Sequence, residues 1–404
     1  MLYSKSKPLS SLIFIPLLSL VFIRPFISGL GYPLFEMPYE IILIALAIAA
    51  LFIEASRFRI YPETFDNFPV LLLLLAYAVS SVFSINTVNS IRETFKFISL
   101  FAAFSIVSQA DNRQKNTLIR GILLAASIIS VYSIYQYLWG YDHTLAYLEK
   151  TGSSLLAASS YARDILIAKR AIATFPSPNI FGSYLIMMFF LSLSLAKDRG
   201  RGLSRYMPIV LITVSLVLTK SLGAWLSLIA TLLILFIISG YPLKNRGLAF
   251  ILGSVAAVFI LVFILTSRWE RFMDPGNPQN SITQRFDYWR TAIAVIKDHF
   301  LLGVGPGNFQ EVFLKYKVGL STDTRYAHNI FLQTWAETGV AGMAAMLWLI
   351  FLFFRKASRK PALLFIFLSG LAFILHNMVD NSYFIPETGL FWWLLLGLSL
   401  NARA

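Results

Sequence analysis

The chain reads as an all-α, polytopic membrane protein of about twelve transmembrane helices. Three observations carry that fold class. Of its 404 residues, 57% are hydrophobic and 13% charged, against roughly 25% charged in an ordinary soluble domain. Apolar runs approaching the ~20 residues needed to cross a bilayer recur from end to end. Lysine and arginine gather in the short connections on one side of these runs, which is a topology signal.

Taken in order, the expected spans are 9–29, 38–55, 69–84, 94–109, 121–138, 178–196, 206–219, 222–240, 248–266, 329–354, 362–380 and 388–400. Several are short, which tilting or local bilayer thinning accommodates. Lys5 and Lys7 precede a first apolar run that resembles a signal peptide. No small-x-small cleavage site follows it, so it is read as a retained first helix. Alternate connections hold Lys5 and Lys7, Arg57 and Arg59, Arg113 with Lys115 and Arg120, and so on to the C-terminus. The short connections between them hold only Arg92 and Lys220. Both termini are therefore expected in the cytoplasm. The whole chain, 1–404, is read as one integral membrane domain without an internal repeat.

Two outer connections are long, about 139–177 and 267–327, and such lengths are uncommon unless functional. The second contains a helix, signalled by a capping-box pattern at Ser281 and Gln284 and the run TQRFDYWRTAIAVIKDHF. Next comes Gly303-Val304-Gly305-Pro306-Gly307, too rich in glycine and proline to stay helical. It fits no nucleotide-binding fingerprint and reads as a tight turn.

The formal charge of +14 is dispersed over these turns, with no basic helix or tail of the kind that tracks nucleic acid. With no cysteine present, disulfides and thiolate metal sites are excluded. There is no DxD, no HExxH and no carboxylate cluster at metal-ligand spacing, so neither a metal nor another cofactor is expected.

His328 closes the second long loop just before a span, with Asn329 placed to cap the helix that follows. A histidine there takes a proton near neutral pH; the plainer alternative is an interfacial imidazole bonded to a loop carbonyl. Glu337 falls on the opposite face of the same span, nine residues on, and suits a structural hydrogen bond. Arg285 and Arg290 on the loop helix, and Arg170 at the end of the first loop, offer planar forks for phosphate oxygens or for headgroups. Lys220 lies in a short outer turn, where snorkelling is the plain alternative. His376 and Asp380 are four apart at the outer end of a span, and the pair is a rival source of an oriented base.

These residues form a recognisable set. Arg285-Phe286-Asp287-Tyr288-Trp289-Arg290, Leu302-Gly303-Val304-Gly305-Pro306-Gly307-Asn308-Phe309, His328-Asn329-Ile330-Phe331-Leu332 and Ala336-Glu337-Thr338-Gly339 resemble the O-antigen ligase family. That superfamily also contains O-antigen polymerases and protein O-oligosaccharyltransferases. The stretch RAIATFPSPN, from Arg170 to Asn179, is similar to a further family motif. The resemblance covers about 170–345.

It implies a glycosyltransferase-C-like enzyme of the bacterial inner membrane with a periplasmic active site. Its substrates would be an undecaprenyl-diphosphate-linked glycan and, for a ligase, a lipid A–core acceptor, with no metal ion. The family's loop arginine maps onto Arg285 and its histidine onto His328, with Arg170, Arg290 and Lys220 as further diphosphate contacts. One departure stands out: where members have Ser-Arg-Gly, this chain has Ser221-Leu222-Gly223. An O-antigen polymerase is the alternative within the same chemistry. A lipid-linked oligosaccharide flippase is the alternative outside it, although candidates clustered at one face favour an enzyme over a transporter.

Overall fold

The structure, a computed structural model, describes residues 8–27, 33–53, 68–151, 160–196, 199–238, 280–319, 323–358 and 360–399. Among these residues it is all-helical. The helices are α1 (Ser11–Ile23), α2 (Pro33–Ile53), α3 (Phe68–Val82), α4 (Thr87–Gln109), α5 (Asn112–Tyr135), α6 (Tyr141–Lys150), α7 (Ser160–Ile167), α8 (Pro178–Ala196), α9 (Met207–Thr219) and α10 (Leu222–Ile238). After them come α11 (Ser281–Asp298), α12 (Phe309–Tyr316), α13 (Ile330–Ser358), α14 (Leu364–Asn377) and α15 (Pro386–Ser399). Every expected span falls largely on one of these helices except 248–266, which lies outside the described residues. Among the described residues, four continuous helical stretches are long and apolar enough to cross a membrane: Leu34–Ile53, Asn112–Lys150, Pro178–Ala196 and Ile330–Ser358.

The bundle is built around α8, α14 and α15, whose side chains are buried almost all round. A helix apolar on every face belongs in a core of this kind. There α8 packs on α9 and α14, α15 packs on α4, and α13 packs on α3. Small residues let backbones approach closely. A Cβ on Gly182 of α8 would lie 2.9 Å from Ala224 Cβ of α10. One charge is buried at the end of α1: Arg24, 1% exposed, lies 3.6 Å from Glu387 and 3.7 Å from Glu36, with Tyr39 under its guanidinium.

Two expectations about the long loops are corrected. The first does not begin at Trp139, because α5 runs through a π-helical turn at Gln136–Gly140 straight into α6. YDHTLAYLEK contains no helix breaker, and the wider turn absorbs Gly140. The second loop holds two helices, α11 and α12. The cap of α11 is Asn280 rather than Ser281: its Oδ1 accepts from the N–H groups of Ile282 and Thr283. Asparagine is as strong a cap as serine and stands one residue earlier.

The glycine turn does more than reverse the chain. α13 is broken at Gly339 (φ 68°, ψ −171°), a conformation that side chains resist. Irregular backbone inside a bilayer must be satisfied by other protein groups. Here the Ala336 and Glu337 carbonyls accept from the N–H groups of Val304 (2.9 Å) and Gly305 (3.0 Å), and Val340 N–H donates to Phe300 O (3.0 Å). On its other side the turn meets α3 and α4. Ser80 Oγ donates to Leu302 O and Glu337 O, Ser90 Oγ to Pro306 O, and Ile85 N–H to Val304 O. Glu337 is buried as expected of a structural residue, its Oε1 accepting from Gln333 Nε2 (2.7 Å) and Phe309 N–H (3.4 Å).

A Cβ at position 339 would lie 2.0 Å from Leu301 O, where backbone must shift to make room. Gly339→Ala is expected to destabilise the chain by at least ~2 kcal/mol, read as a lower unfolding midpoint in detergent. Gly140→Ala, whose Cβ would sit in ordinary contact 3.6 Å from Gln136, is expected to leave that midpoint nearly unchanged.

Candidate active site

The chain from Thr324 to Asn329 descends to the start of α13, and Asn329 caps that helix as expected. Its Oδ1 accepts from Phe331 N–H (3.0 Å) and Leu332 N–H (3.1 Å). Its Nδ2 donates to Met378 O (3.0 Å), just past the end of α14. His328 is thereby fixed at the mouth of the bundle, in a left-handed conformation (φ 51°). Its ring stacks on Tyr288 of α11 (5.6 Å between centroids, 21°), and its carbonyl accepts from Trp289 Nε1. The side chain is half-buried, and Nδ1 is wholly buried without a hydrogen-bond partner.

Arg285, one turn before Trp289 on the same helix, reaches the same place. Its Nε donates to Val379 O and its NH1 to Ser281 O (2.9 Å), while NH2 lies 3.5 Å from Asp380 Oδ2. Asp380, 2% exposed, is held by Asn381 N–H (2.9 Å) and Ser382 Oγ (3.4 Å). His376 completes the group, fully buried with neither ring nitrogen hydrogen-bonded. The expectation that His376 and Asp380 share a helix face is corrected, because α14 ends at Asn377. Asp380 sits in the turn beyond it, yet its charge acts on His328 and His376 alike.

Burial pushes the His328 imidazole down to about 4, against the Asp380 carboxylate, which raises it, and with Arg285, which lowers it further. In the ligand-free chain the ring is therefore neutral at pH 7.

Arg170 stands across α10 from this group. Its Nε donates to Thr219 O (3.1 Å) and its NH2 to Asn179 Oδ1 (2.9 Å), which also accepts from Ser221 Oγ (3.0 Å). Gly223, the second residue of α10, lies against His376: a Cβ there would be 3.5 Å from the ring Nε2. A continuous line thus runs from Arg170 through Asn179, Ser221 and Gly223 to His376, Asp380, Arg285 and His328. Asn179 and Tyr288 were quoted in motifs without a role, and only the tertiary contacts supply one.

Lys220 and Arg290 are not drawn into that line. Lys220 terminates α9 in a left-handed conformation (φ 51°), and its ammonium donates to Ala168 O (2.7 Å) above the Tyr137 ring. The guanidinium at the start of α10, next to where the family carries arginine, belongs to Arg170. Arg290 is mostly exposed and faces Asp287 at 3.8 Å. Among the described residues no group of three or more His, Asp or Glu is placed to hold a metal ion.

The electrostatics give a signed prediction. Nitrogen NMR of the ligand-free chain is expected to show His328 titrating near 4, with Asp380→Asn moving the midpoint down and Arg285→Gln moving it up. A base held neutral by folding stabilises less as acid protonates the unfolded chain first. His328 therefore costs stability progressively as pH falls from about 6.5 to about 4. A midpoint near 6.5, unmoved by either substitution, would contradict the assigned neighbours.

Residues 207–347 match the family model described as O-Antigen ligase. The match includes Arg285 and His328, and excludes Arg170, His376 and Asp380. The chain is also similar to the teichuronic acid biosynthesis protein TuaE of Bacillus subtilis. That relative is 21% identical over 345 residues, which cover 79% of this chain and 68% of the relative. An uncharacterized protein of Haemophilus influenzae is 23% identical over 187 residues, covering 42% of this chain and 46% of the relative. Its apolar helices make the chain a membrane protein, and its region 207–347 is similar to the O-antigen ligase family, which points to a ligase- or polymerase-like role in polysaccharide biosynthesis.

Proposed function

We propose that this chain transfers an O-antigen glycan from an undecaprenyl-diphosphate carrier to a sugar hydroxyl of lipid A–core, at the periplasmic face of the inner membrane and without a metal ion. The observation that carries the reading is the grouping of His328, Arg285 and Asp380 at one end of the bundle. An imidazole neutral at pH 7 accepts a proton, and a guanidinium beside it attracts an anion.

The acceptor oxygen bonds to the anomeric carbon as its proton passes to His328. The bond from that carbon to the phosphate oxygen breaks, and undecaprenyl diphosphate leaves with the bonding electrons. Arg285 stabilises the growing negative charge. Arg170, held beside the start of α10, supplies a second anion contact. Lys220 and Arg290 are assigned outer roles, steering the diphosphate rather than holding it. Asp380 is a positioning residue: it keeps Arg285 in place and favours protonation of His328.

This arrangement makes the base depend on the donor. When diphosphate neutralises Arg285, a group that holds His328 down is offset, and the anion itself raises the imidazole. The acid limb of kcat at saturating donor is expected to lie above that of kcat/KM for the donor, because the two report bound and free enzyme respectively. Coincident limbs near neutral pH would contradict a base coupled to Arg285.

A second reading is compatible with the same family match and with the similarity to a protein named for teichuronic acid biosynthesis. Here the acceptor is another carrier-linked glycan, and the enzyme is a polymerase. Purified protein incubated in EDTA with undecaprenyl-diphosphate glycan and lipid A–core separates the two. Ligation predicts glycan-bearing lipid A–core, while polymerisation predicts longer glycan on the carrier. In either assay His328→Ala and Arg285→Ala are each expected to lower the rate by ~100-fold or more. Full activity in His328→Ala would remove the base and leave the anion site.

A further inference from the structure

A second polar hollow lies at the same end of the bundle as His328, and the transfer chemistry makes no use of it. It is a cavity of about 180 Å³ lined by Asn89, Arg92, Glu93, Gln310, Glu311 and Arg325. These side chains come from the first two turns of α4, the first turn of α12 and the loop that ends in His328. Its floor is Gly307 of the glycine turn, where a Cβ would lie 2.5 Å from Glu93 Cγ. The backbone therefore closes directly on the Glu93 side chain at its Cγ methylene.

The hollow is a constructed feature. Glu93, 8% exposed, is held on one side by Lys96 and on the other by Arg325. Lys96 is anchored in turn on Phe384 O (3.0 Å). Asn89 Nδ2 donates to Glu311 Oε1 (2.9 Å), joined by Asn86 Nδ2 (3.4 Å), and Gln310 Nε2 donates to Asp323 Oδ2 (3.0 Å). Amides, carboxylates and guanidinium groups thus converge on one small space. Its charges are mixed, two arginines against two glutamates, so it is ill suited to a diphosphate. Drug-sized ligands fill ~300–1,000 Å³, so this space suits a single ring. Arg325 is three residues from His328, which limits their Cα separation to about 11 Å.

We propose that this hollow is a carbohydrate subsite, which holds one hydroxyl-rich sugar ring of a substrate glycan a short distance from the reacting hydroxyl. The inference rests on the transfer reading of the His328 site. Asn89, Gln310 and Arg325 supply donors to ring hydroxyls, and Glu93 and Glu311 accept from them. The sugar belongs either to the acceptor or to the donor glycan, and the kinetics tell the two apart.

The variants are Asn89→Ala with Gln310→Ala, which remove two lining amides, and Gln310→Trp, which fills the space from a surface position. Transfer by the purified full chain is measured with undecaprenyl-diphosphate glycan and lipid A–core, each varied in turn. The expected result is a KM raised about tenfold for one substrate with kcat little changed, the pattern of lost uniform binding. A rise confined to lipid A–core assigns the ring to the acceptor, and one confined to the carrier-linked glycan assigns it to the donor. Unchanged KM values for both substrates in both variants would overturn the subsite while leaving the His328 chemistry intact.

A direct binding readout is independent of transfer. Saturation-transfer NMR is run with the methyl glycosides of glucose, galactose, N-acetylglucosamine and glucuronic acid. At least one is expected to give a signal that survives His328→Ala and disappears in the Asn89→Ala, Gln310→Ala chain. A signal from none of the four, or one that persists in the double variant, would overturn the proposal.

Discussion

The rest of the structure depends on how a broken helix is made tolerable. α13 crosses the bundle with a break at Gly339, which frees backbone groups where water is scarce. The turn from Leu302 to Asn308 satisfies two of them through the N–H groups of Val304 and Gly305, and glycines at 303, 305 and 307, all at positive φ, let it approach closely enough. Because Ser80 of α3, Ser90 of α4 and Ile85 between them grip the same turn, one short segment ties α3, α4 and α13 together. It also sets the start of α12 through Asn308, whose Nδ2 donates to Asn86 O, Ser90 Oγ and Val304 O. The candidate base stands at the free end of the helix so anchored.

A second constraint acts at the end of α14. Carbonyls at a helix C-terminus lack partners within the helix and attract positive charge. Two carbonyls just beyond α14 are answered from the loop side, Met378 O by Asn329 and Val379 O by Arg285. The polar bonds that finish one helix therefore bring the cap of another, and an arginine of a third, to the same point. Asp380 follows directly in the chain, with the Arg285 guanidinium and the imidazoles of His328 and His376 around it.

Much of this was legible in the sequence because hydropathy acts locally: a run such as Pro178–Ala196 is apolar whatever surrounds it. The cap at Asn329 was legible for the same reason. The break at Gly339 was not, since AETGVAGMAAM reads as continuous helix and the glycine's φ is imposed by the turn it meets. The continuation of α5 into α6 was missed because Gly140 resembles a terminator, and the π-helical turn that absorbs it leaves no compositional mark. Asn280 and Ser281 are equally good caps one position apart, so local pattern does not choose between them. The link from Arg170 through Asn179 to the start of α10 joins residues distant in sequence, and no local pattern announces it. Lys220 shows the converse: its place beside the missing family arginine suggested a substitute charge, but its ammonium turns to Ala168 O.

Arg285 has one further property. Two of its N–H groups are committed to main-chain carbonyls, at Val379 and at Ser281. A free arginine carries about 2 kcal/mol of rotamer entropy. In this chain most of that freedom is surrendered when the bundle folds, not when an anion arrives. The guanidinium plane is therefore set by two backbone oxygens, and the anion of the proposed transfer would have to meet it in the orientation that plane dictates.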